Sequence, residues 1–309
     1  MTTRIEIYLN SLSEDISMLD IRGMNIKSLP DLTRFKNLKN LCCNDNQLIS
    51  LPTLPKNLKR LFCDHNQLIY LPTLQKNLEV LLCNDNQLIS LPTLPKNLKD
   101  FFCNNNQLIS LPTLPKNLKI LHCNHNQLTS LPTLPKNLKN LHCNHNQLTS
   151  LPTLPDNLEK LYCNHNQLTS LPTLPEDLEK LYCNHNQLTS LPTLPYHLEV
   201  LFCNDNQLTS LPTLPENLEK LSCHDNPIYI HNLSEEELAK YEIQTDNKST
   251  TEINLKIYDV AKCVICLSTS SSIVFLPCAH MCTCVDCYQE IKKFKNCCPL
   301  CRKNIMSIM

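Results

Sequence analysis

The chain has 309 residues, a formal net charge of −1 at pH 7 and a pI near 6.8, so it lacks the global basic field that holds nucleic acid or an anionic membrane. It contains a single glycine, which excludes the glycine-rich loops that bind phosphates or dinucleotides, because those loops need glycine for close backbone approach. The length is typical of about two domains.

The N-terminal sequence MTTRIEIYLN lacks the charged-then-apolar pattern of a signal peptide. No stretch approaches the roughly 20 apolar residues that a membrane span requires. We therefore expect a cytoplasmic protein that binds neither membranes nor nucleic acid. Residues 1–15 are too few for a domain and are predicted to cap the first structural repeat, whose open edge would otherwise invite aggregation.

A 20-residue repeat with the pattern L-x-x-L-x-C-x-x-N-Q-L-x-S-L-P-T-L-P-x-N fills residues 16–228, in about eleven copies of which the first is irregular. Leucine and cysteine alternate with an outward residue, which predicts one short strand per repeat with both side chains inward. Stacked copies then form a parallel sheet over one continuous apolar core. Prolines three residues apart exclude a helix from the LPTLP segment, so this side is predicted to be extended and polyproline-like.

This pattern resembles leucine-rich repeats, and the short form with paired prolines is similar to the effector subtype that bacterial pathogens secrete. The expected fold is mainly β, a solenoid with the parallel sheet on its concave face and extended chain on its convex face. The near-identity of the copies and the effector resemblance suggest a protein of an intracellular pathogen or large virus, acting in the host cytoplasm.

Two repeated residues are interpreted as structural. The asparagine of each copy, from Asn46 to Asn226, is predicted to bond backbone groups between neighbouring turns. The cysteine of each copy, from Cys43 to Cys223, is predicted to be a small buried hydrophobe without disulfide or metal, since the compartment is reducing and parallel side chains offer no tetrahedral convergence.

The outward strand position carries large rings, and we predict that this column is exposed and binds a target protein, because aromatic side chains are enriched at interfaces. The alternative interpretation is that these rings only stabilise the sheet by stacking across neighbouring strands. A second file of histidines follows two to three residues later and is interpreted as solvated or partner-contacting rather than metal-binding or pH-sensing. The predicted target-binding residues are Phe62, Phe102, His122, His142, Tyr162, Tyr182 and Phe202, with Leu82 in the same column, and the histidines are His65, His125, His145, His165 and His185.

The period ends after Asn226, and residues 229–261 are predicted to form a closing helix and a linker. Ser234 and Glu237 have the spacing of a helix capping box. The polar stretch 245–255 has no period and is typical of a linker.

Residues 262–302 are predicted to be a zinc-binding domain. Three C-x2-C pairs and one C-x-H pair supply eight ligands, which suit two tetrahedral Zn²⁺ ions. A domain of about 40 residues depends on metal to fold. Cys282 is one residue too close to His280 and Cys297 would break the last hook, so both are left out of the set. A nucleic-acid finger is disfavoured because no basic recognition helix follows, and a PHD-like reader because no aromatic precedes the last cysteine pair. The ligands are Cys263, Cys266, Cys278, His280, Cys284, Cys287, Cys298 and Cys301.

This ligand order resembles RING fingers, and PCAHMCTCVDC is most similar to the inhibitor-of-apoptosis class. The resemblance implies a cross-brace, with Cys263, Cys266, Cys284 and Cys287 on one zinc and Cys278, His280, Cys298 and Cys301 on the other. It implies a ubiquitin ligase without a covalent intermediate, which positions a ubiquitin-charged conjugating enzyme. Ile265 and Pro299 match the groove for that enzyme, and Arg302 matches the cation that bridges it to ubiquitin.

The apolar tail 303–309 has no aromatic residue, so homodimerisation through the RING stays open. The predicted function is a two-part ubiquitin ligase in which the repeats select a target. Two alternatives remain: a non-catalytic adaptor with a structural zinc domain, and a repeat protein whose zinc end only caps or dimerises.

Overall fold

The computed structural model describes residues 4–228 and three short strands at 273–276, 280–283 and 307–308. Its contacts divide the chain into two units, Met1–Ile243 and Gln244–Met309, which are described separately.

The first unit begins with helix α1 (Arg4–Asn10) and continues with eleven strands of three residues, one in each repeat. The strands are β1 (Met18–Asp20), β2 (Asn40–Cys42), β3 (Arg60–Phe62), β4 (Val80–Leu82), β5 (Asp100–Phe102), β6 (Ile120–His122), β7 (Asn140–His142), β8 (Lys160–Tyr162), β9 (Lys180–Tyr182), β10 (Val200–Phe202) and β11 (Lys220–Ser222).

These strands form one parallel sheet in chain order, from β1 to β11. From β2 onward the register is constant, so that each residue of β2 to β10 pairs with the residue 20 positions on in the next strand; Leu121, for example, lies opposite Leu141. Identical side chains therefore stack in columns along the sheet. The predicted parallel β solenoid is confirmed.

The core follows the alternation of the repeat. In a central copy, Leu118, Leu121, Cys123 and Leu128 have no exposed surface. The LPTLP segment of each regular copy contains neither helix nor strand. Most of its leucines are buried, and Leu91, Leu211 and Leu214 are partly buried against the core. One continuous apolar core thus runs through the repeats, as the sequence predicted.

The first copy and the residues before it close one end of this core. Helix α1 buries Ile5 and Leu9 in the same cluster as the leucines of the repeats. The Arg34 guanidinium donates a hydrogen bond to the carbonyl of Leu9. In the irregular copy Leu19 and Ile21 are buried as expected.

The second unit contains a three-stranded antiparallel sheet in the order β13, β12, β14. Its strands are β12 (Ile273–Leu276), β13 (His280–Thr283) and β14 (Ser307–Ile308). Strand β14 lies in the segment interpreted as an apolar tail, and Ile308 pairs with Phe275. The predicted closing helix and linker of residues 229–261 lie outside the described residues. Among the helices of the described residues, none has the length and apolar character of a membrane span.

Candidate functional site

The third residue of each strand forms a column of rings across the sheet. Neighbouring strands bring these side chains into direct contact because the register is constant. The His122 and His142 rings stack with 3.8 Å between centroids, and Tyr162 and Tyr182 stack at 4.5 Å. Edge-on contacts follow at the two ends, where Phe102 meets His122 at 4.5 Å and Phe202 meets Tyr182 at 4.9 Å. The central six rings, which we call the ring column, are Phe102, His122, His142, Tyr162, Tyr182 and Phe202.

The expectation that these rings are fully exposed is wrong. Each of them is half-buried, because each ring covers part of the next. Burial lowers the pKa of His122 to about 4, and burial together with the neighbouring His122 and Lys160 lowers that of His142 to about 4. Both imidazoles are therefore neutral at pH 7. The ring column presents an uncharged aromatic surface, and Phe62 is separated from it by Leu82.

The inner asparagine of each turn is buried and fully bonded. The Asn126 Nδ2 donates to the carbonyls of Cys103 (3.0 Å), Cys123 (3.2 Å) and Asn124 (3.1 Å), while its Oδ1 accepts from the backbone N–H of Leu108 (3.1 Å). This pattern recurs from Asn46 to Asn226. The structural interpretation of this residue is confirmed, because both N–H groups and the oxygen of the amide bond backbone groups of the repeats.

A second asparagine ladder was missed by sequence reasoning. The Asn124 Oδ1 accepts the backbone N–H of Asn144 at 2.8 Å, and Asn104 bonds Asn124 in the same way. The sequence carried a signal, since the residue after the repeat cysteine is asparagine in most copies. These amides fix the turn that follows each strand.

The cysteines of the repeats are free, as predicted. Burial raises the pKa of the Cys123 thiol to about 12 and that of Cys103 well above its ordinary value. The thiols are therefore protonated at neutral pH and are poor nucleophiles.

The file of histidines occupies a left-handed backbone position, which the sequence reasoning also missed. The φ angle at this position is +52° in His125 and His145 and +53° in Asp205. The only glycine, Gly23, takes the same position in the first copy with φ +65°. Later copies use only aspartate, asparagine or histidine here, the residues enriched at positive φ. This restriction in residue type could have indicated the left-handed turn from the sequence.

The histidine file stacks ring on ring and is exposed. His125 and His145 lie 4.0 Å apart, His145 and His165 lie 4.1 Å apart, and His185 ends the stack 3.4 Å from the Asp205 carboxylate. Parallel rings point their nitrogens in the same direction rather than at a common point, so the file does not form a metal site.

One other group of possible metal ligands occurs in the described part of the chain. Asp205, His224 and Asp225 place one ligand atom each within 4.8 Å of the others. His224 Nδ1 lies 2.7 Å from Asp225 Oδ2, and both residues are exposed. Such a surface ion pair needs no metal, so we assign none there.

Seven of the eight predicted zinc ligands lie outside the described residues, as do Ile265, Pro299 and Arg302. The eighth, His280, begins strand β13. The donor set itself, seven thiols and one imidazole, fits the preference of Zn²⁺ for sulfur and nitrogen ligands.

Comparison with known families agrees with this division. The family model "Zinc finger, C3HC4 type (RING finger)" matches residues 259–308, which include all eight predicted ligands and strand β14. The family model "Leucine Rich repeats (2 copies)" matches residues 116–156, 136–176 and 156–196.

The RING region is similar to two curated relatives. The Xenopus laevis "Mitochondrial ubiquitin ligase activator of nfkb 1" is 39% identical over 75 residues, which are 24% of this chain and 19% of that protein. The Drosophila melanogaster "Death-associated inhibitor of apoptosis 2" is 34% identical over 80 residues, 25% of this chain and 15% of that protein. The chain thus spans less than a fifth of the length of either relative. The second relative confirms the expected likeness to the inhibitor-of-apoptosis class.

The repeats are similar to two solved structures. YopM from Yersinia enterocolitica is 40% identical with a TM-score of 0.64, and the match covers 70% of this chain and 52% of that one. A second structure, "Novel Molecular Architecture of YopM-a Leucine-rich Effector Protein from Yersinia pestis", is 37% identical with a TM-score of 0.66, and the match covers 72% of this chain and 64% of that one. The predicted likeness to a bacterial effector is confirmed. The chain therefore combines leucine-rich repeats with a C-terminal RING finger.

Proposed function

We propose that this protein is a RING-type ubiquitin ligase whose repeats bind a target protein and whose RING recruits a ubiquitin-charged conjugating enzyme. One observation carries the proposal: the RING family match spans every predicted zinc ligand, and a relative matched over this region is named as a ubiquitin ligase. The leucine-rich repeats supply the protein-binding half. The proposal includes action in a reducing compartment such as the cytoplasm of a host cell, where the buried thiols of the repeats would stay unpaired.

In this proposal, Cys263, Cys266, Cys284 and Cys287 hold one zinc, and Cys278, His280, Cys298 and Cys301 hold the other. When bound, zinc supplies structural cross-links, because a segment of this size buries too little apolar surface to fold alone. Ile265 and Pro299 would then pack against the conjugating enzyme. The Arg302 guanidinium would donate hydrogen bonds that hold ubiquitin in a reactive pose.

An autoubiquitination assay with purified enzymes tests the ligase. We expect ubiquitin chains on the wild-type protein and at least a tenfold lower rate for Arg302→Ala. The neighbouring Lys303→Ala removes the same charge one residue away and serves as the matched control. Equal zinc content in both variants, measured by elemental analysis, shows that the metal domain is intact. Absence of activity with every conjugating enzyme tried would contradict the proposal and support the non-catalytic adaptor.

The ring column is the surface that we propose for the target. It is neutral, aromatic and continuous over six strands, and such surfaces are enriched at the centres of interfaces. Tyr162→Ala with Tyr182→Ala removes two central rings without opening the core, since both side chains lie outside the buried leucine cluster. This pair should abolish modification of a target without reducing autoubiquitination. Loss of both activities would assign the ring column to folding instead.

A further inference from the structure

Basic and acidic side chains are segregated along one edge of the solenoid. The near-zero net charge of the chain conceals this segregation. Two columns define this edge: the turn column, which lies four residues before the start of each strand, and the pre-strand column, which lies directly before it. The turn column is Lys36, Lys56, Lys76, Lys96, Lys116, Lys136, Asp156, Glu176, Tyr196 and Glu216. The pre-strand column is Lys39, Lys59, Glu79, Lys99, Lys119, Lys139, Glu159, Glu179, Glu199 and Glu219. We call the two together the charged edge.

The predominant sign of the charged edge changes from basic to acidic between Lys139 and Glu159. Before this point every member is lysine except Glu79, and after it every member is acidic except Tyr196. All of the lysines are exposed, and the acidic residues are exposed or half-buried. The edge is thus basic over its first half and acidic over its second half.

Backbone hydrogen bonds hold the columns in register. The Lys119 N–H donates to the Lys99 carbonyl at 2.7 Å, and the Glu179 N–H donates to the Glu159 carbonyl at 2.9 Å. In the turn column, Asn117 Nδ2 donates to the Lys96 carbonyl at 3.0 Å. The charges are therefore attached to a fixed backbone at a regular spacing of about 4.8 Å, that of neighbouring strands.

With Glu216 left aside, five members of the charged edge form ion pairs within the described part of the chain. Glu79 is shared between Lys59 (3.1 Å) and Lys99 (2.8 Å), and Lys139 pairs with Glu159 at the sign change. Elsewhere like charges stand directly opposite one another on neighbouring repeats, an arrangement that is destabilising. Lys160, Lys180 and Lys220 follow three of the glutamates and offset part of their charge, but form no ion pair with them in the part of the chain that the structure describes.

The acidic half also forms a groove of about 500 Å³. Glu159, Asp177, Glu179, Glu199 and Glu219 line it, together with His197 and Asn217. A groove of this charge and width accepts the aliphatic stem and ammonium group of a lysine.

We propose that the charged edge is an interface between two copies of this chain, which lie antiparallel about a two-fold axis at the sign change. In that arrangement the basic half of each copy faces the acidic half of the other, so the same contacts occur twice. Lys119 of one copy meets Glu179 of the second, and Lys116 meets Glu176. The two-fold operation pairs Lys99, Lys116, Lys119, Lys136 and Lys139 with carboxylates, while Lys96 meets Tyr196 and Glu79 meets Glu219. The excess of opposite charges favours a second copy over an unrelated basic or acidic protein. The proposal is independent of ligase activity.

Charge reversal within the full-length, zinc-loaded chain tests this interface. We expect a reversible dimer at 50 mM salt by analytical ultracentrifugation, with a dissociation constant at least tenfold higher at 500 mM salt. Lys116→Glu with Lys119→Glu makes the edge acidic throughout this region, and Glu176→Lys with Glu179→Lys makes it basic. Each double variant alone should be monomeric at concentrations where the wild type is dimeric. An equal mixture of the two should form a heterodimer, because every substituted contact then joins opposite charges.

Gln127→Glu with Gln187→Lys is the matched control, since these exposed residues carry no charge of the edge and lie beyond the strand, at the turn that follows it. This control should dimerise like the wild type. A wild type that is monomeric at all concentrations, or a dimer that neither salt nor charge reversal weakens, would overturn the proposal. Wild-type monomers that bind polylysine would assign the acidic groove to a basic partner instead.

Carbodiimide cross-linking of mixed isotope-labelled and unlabelled chains locates the contact. This reagent joins an amine and a carboxylate that touch, and Lys119 and Glu179 of one chain stand three repeats, about 14 Å, apart. Cross-links between labelled and unlabelled chains are expected to join Lys116 or Lys119 to Glu176 or Glu179. A dimer with cross-links only outside the charged edge would contradict the interface, including a dimer formed through the RING.

Discussion

At the residue scale, one amide in each turn satisfies four backbone groups. The Asn126 side chain bonds three carbonyls and one N–H, two of which belong to the preceding repeat. No apolar side chain of similar size can replace those bonds. The ladder therefore ties each repeat to its neighbour, in addition to the sheet.

We predict that Asn126→Ala lowers the free energy of unfolding by about 2–4 kcal/mol, because buried carbonyls and an N–H lose their partner. Urea denaturation followed by circular dichroism measures the change. The adjacent exposed Gln127→Ala is the control and should change stability by less than about 0.5 kcal/mol. Equal stability of the two variants would show that water replaces the amide.

A second residue-scale prediction concerns acid stability. Burial lowers the folded-state pKa of His122 and His142 to about 4, against 6.5 for an exposed imidazole. Between pH 6.5 and 4 the unfolded chain binds more protons than the folded chain, so stability falls as the pH falls through this window and levels off above it. Partial solvent access limits the loss to about 1–2 kcal/mol per imidazole.

His122→Phe with His142→Phe should reduce this pH dependence while keeping two stacked rings. Urea midpoints at pH 4.5 and 7.5 measure it, and the exposed His197→Gln is the control. Part of the slope should remain, because burial also lowers the pKa of His145 and His165. An unchanged slope in the double variant would contradict the assignment to the ring column.

At the scale of the element, each three-residue strand ends in a turn that needs one residue with positive φ. Asn105 takes this conformation with φ +53°. A β-branched residue is strained there, whereas glycine is not. We predict that Asn105→Val is about 1–2 kcal/mol less stable than Asn105→Gly. Both variants lose the 2.8 Å bond to Asp85, so the difference between them in urea denaturation reports the backbone strain alone. Equal stability would show that the turn relaxes.

The strands and the core could be predicted from the sequence because the alternation of Leu121 and Cys123 with outward residues repeats in every copy. The burial of His122 could not, because it depends on the ring that the next strand places 3.8 Å away. The left-handed turn could be predicted from the restriction of this position to glycine, aspartate, asparagine and histidine, the residue types that tolerate a positive φ. Hydrogen bonds such as the one between Asn124 and Asn144 could not be predicted. The periodicity implies the register of the strands but not the direction in which these side chains point.

At the scale of the whole molecule, the two units rely on different forces. The repeats bury a continuous leucine core that extends over 11 strands. For the RING region we propose that the predicted ligands, which the family match spans, hold the zinc on which its folding depends. The net charge did not reveal the charged edge, because the positive charges of its basic half and the negative charges of its acidic half largely cancel in the sum.

This difference predicts that zinc removal affects one unit only. A strong chelator at pH 7.5 should extract two zinc ions per chain and abolish ubiquitin transfer, because the small domain loses its cross-links. The repeats contain no predicted zinc ligand, so their urea midpoint should stay within error of the untreated value. Cys298→Ser, which removes one ligand, should lower zinc content and activity in the same way, whereas Cys297→Ser, the adjacent excluded cysteine, should change neither. A zinc content other than two, or loss of zinc in Cys297→Ser, would overturn the ligand set.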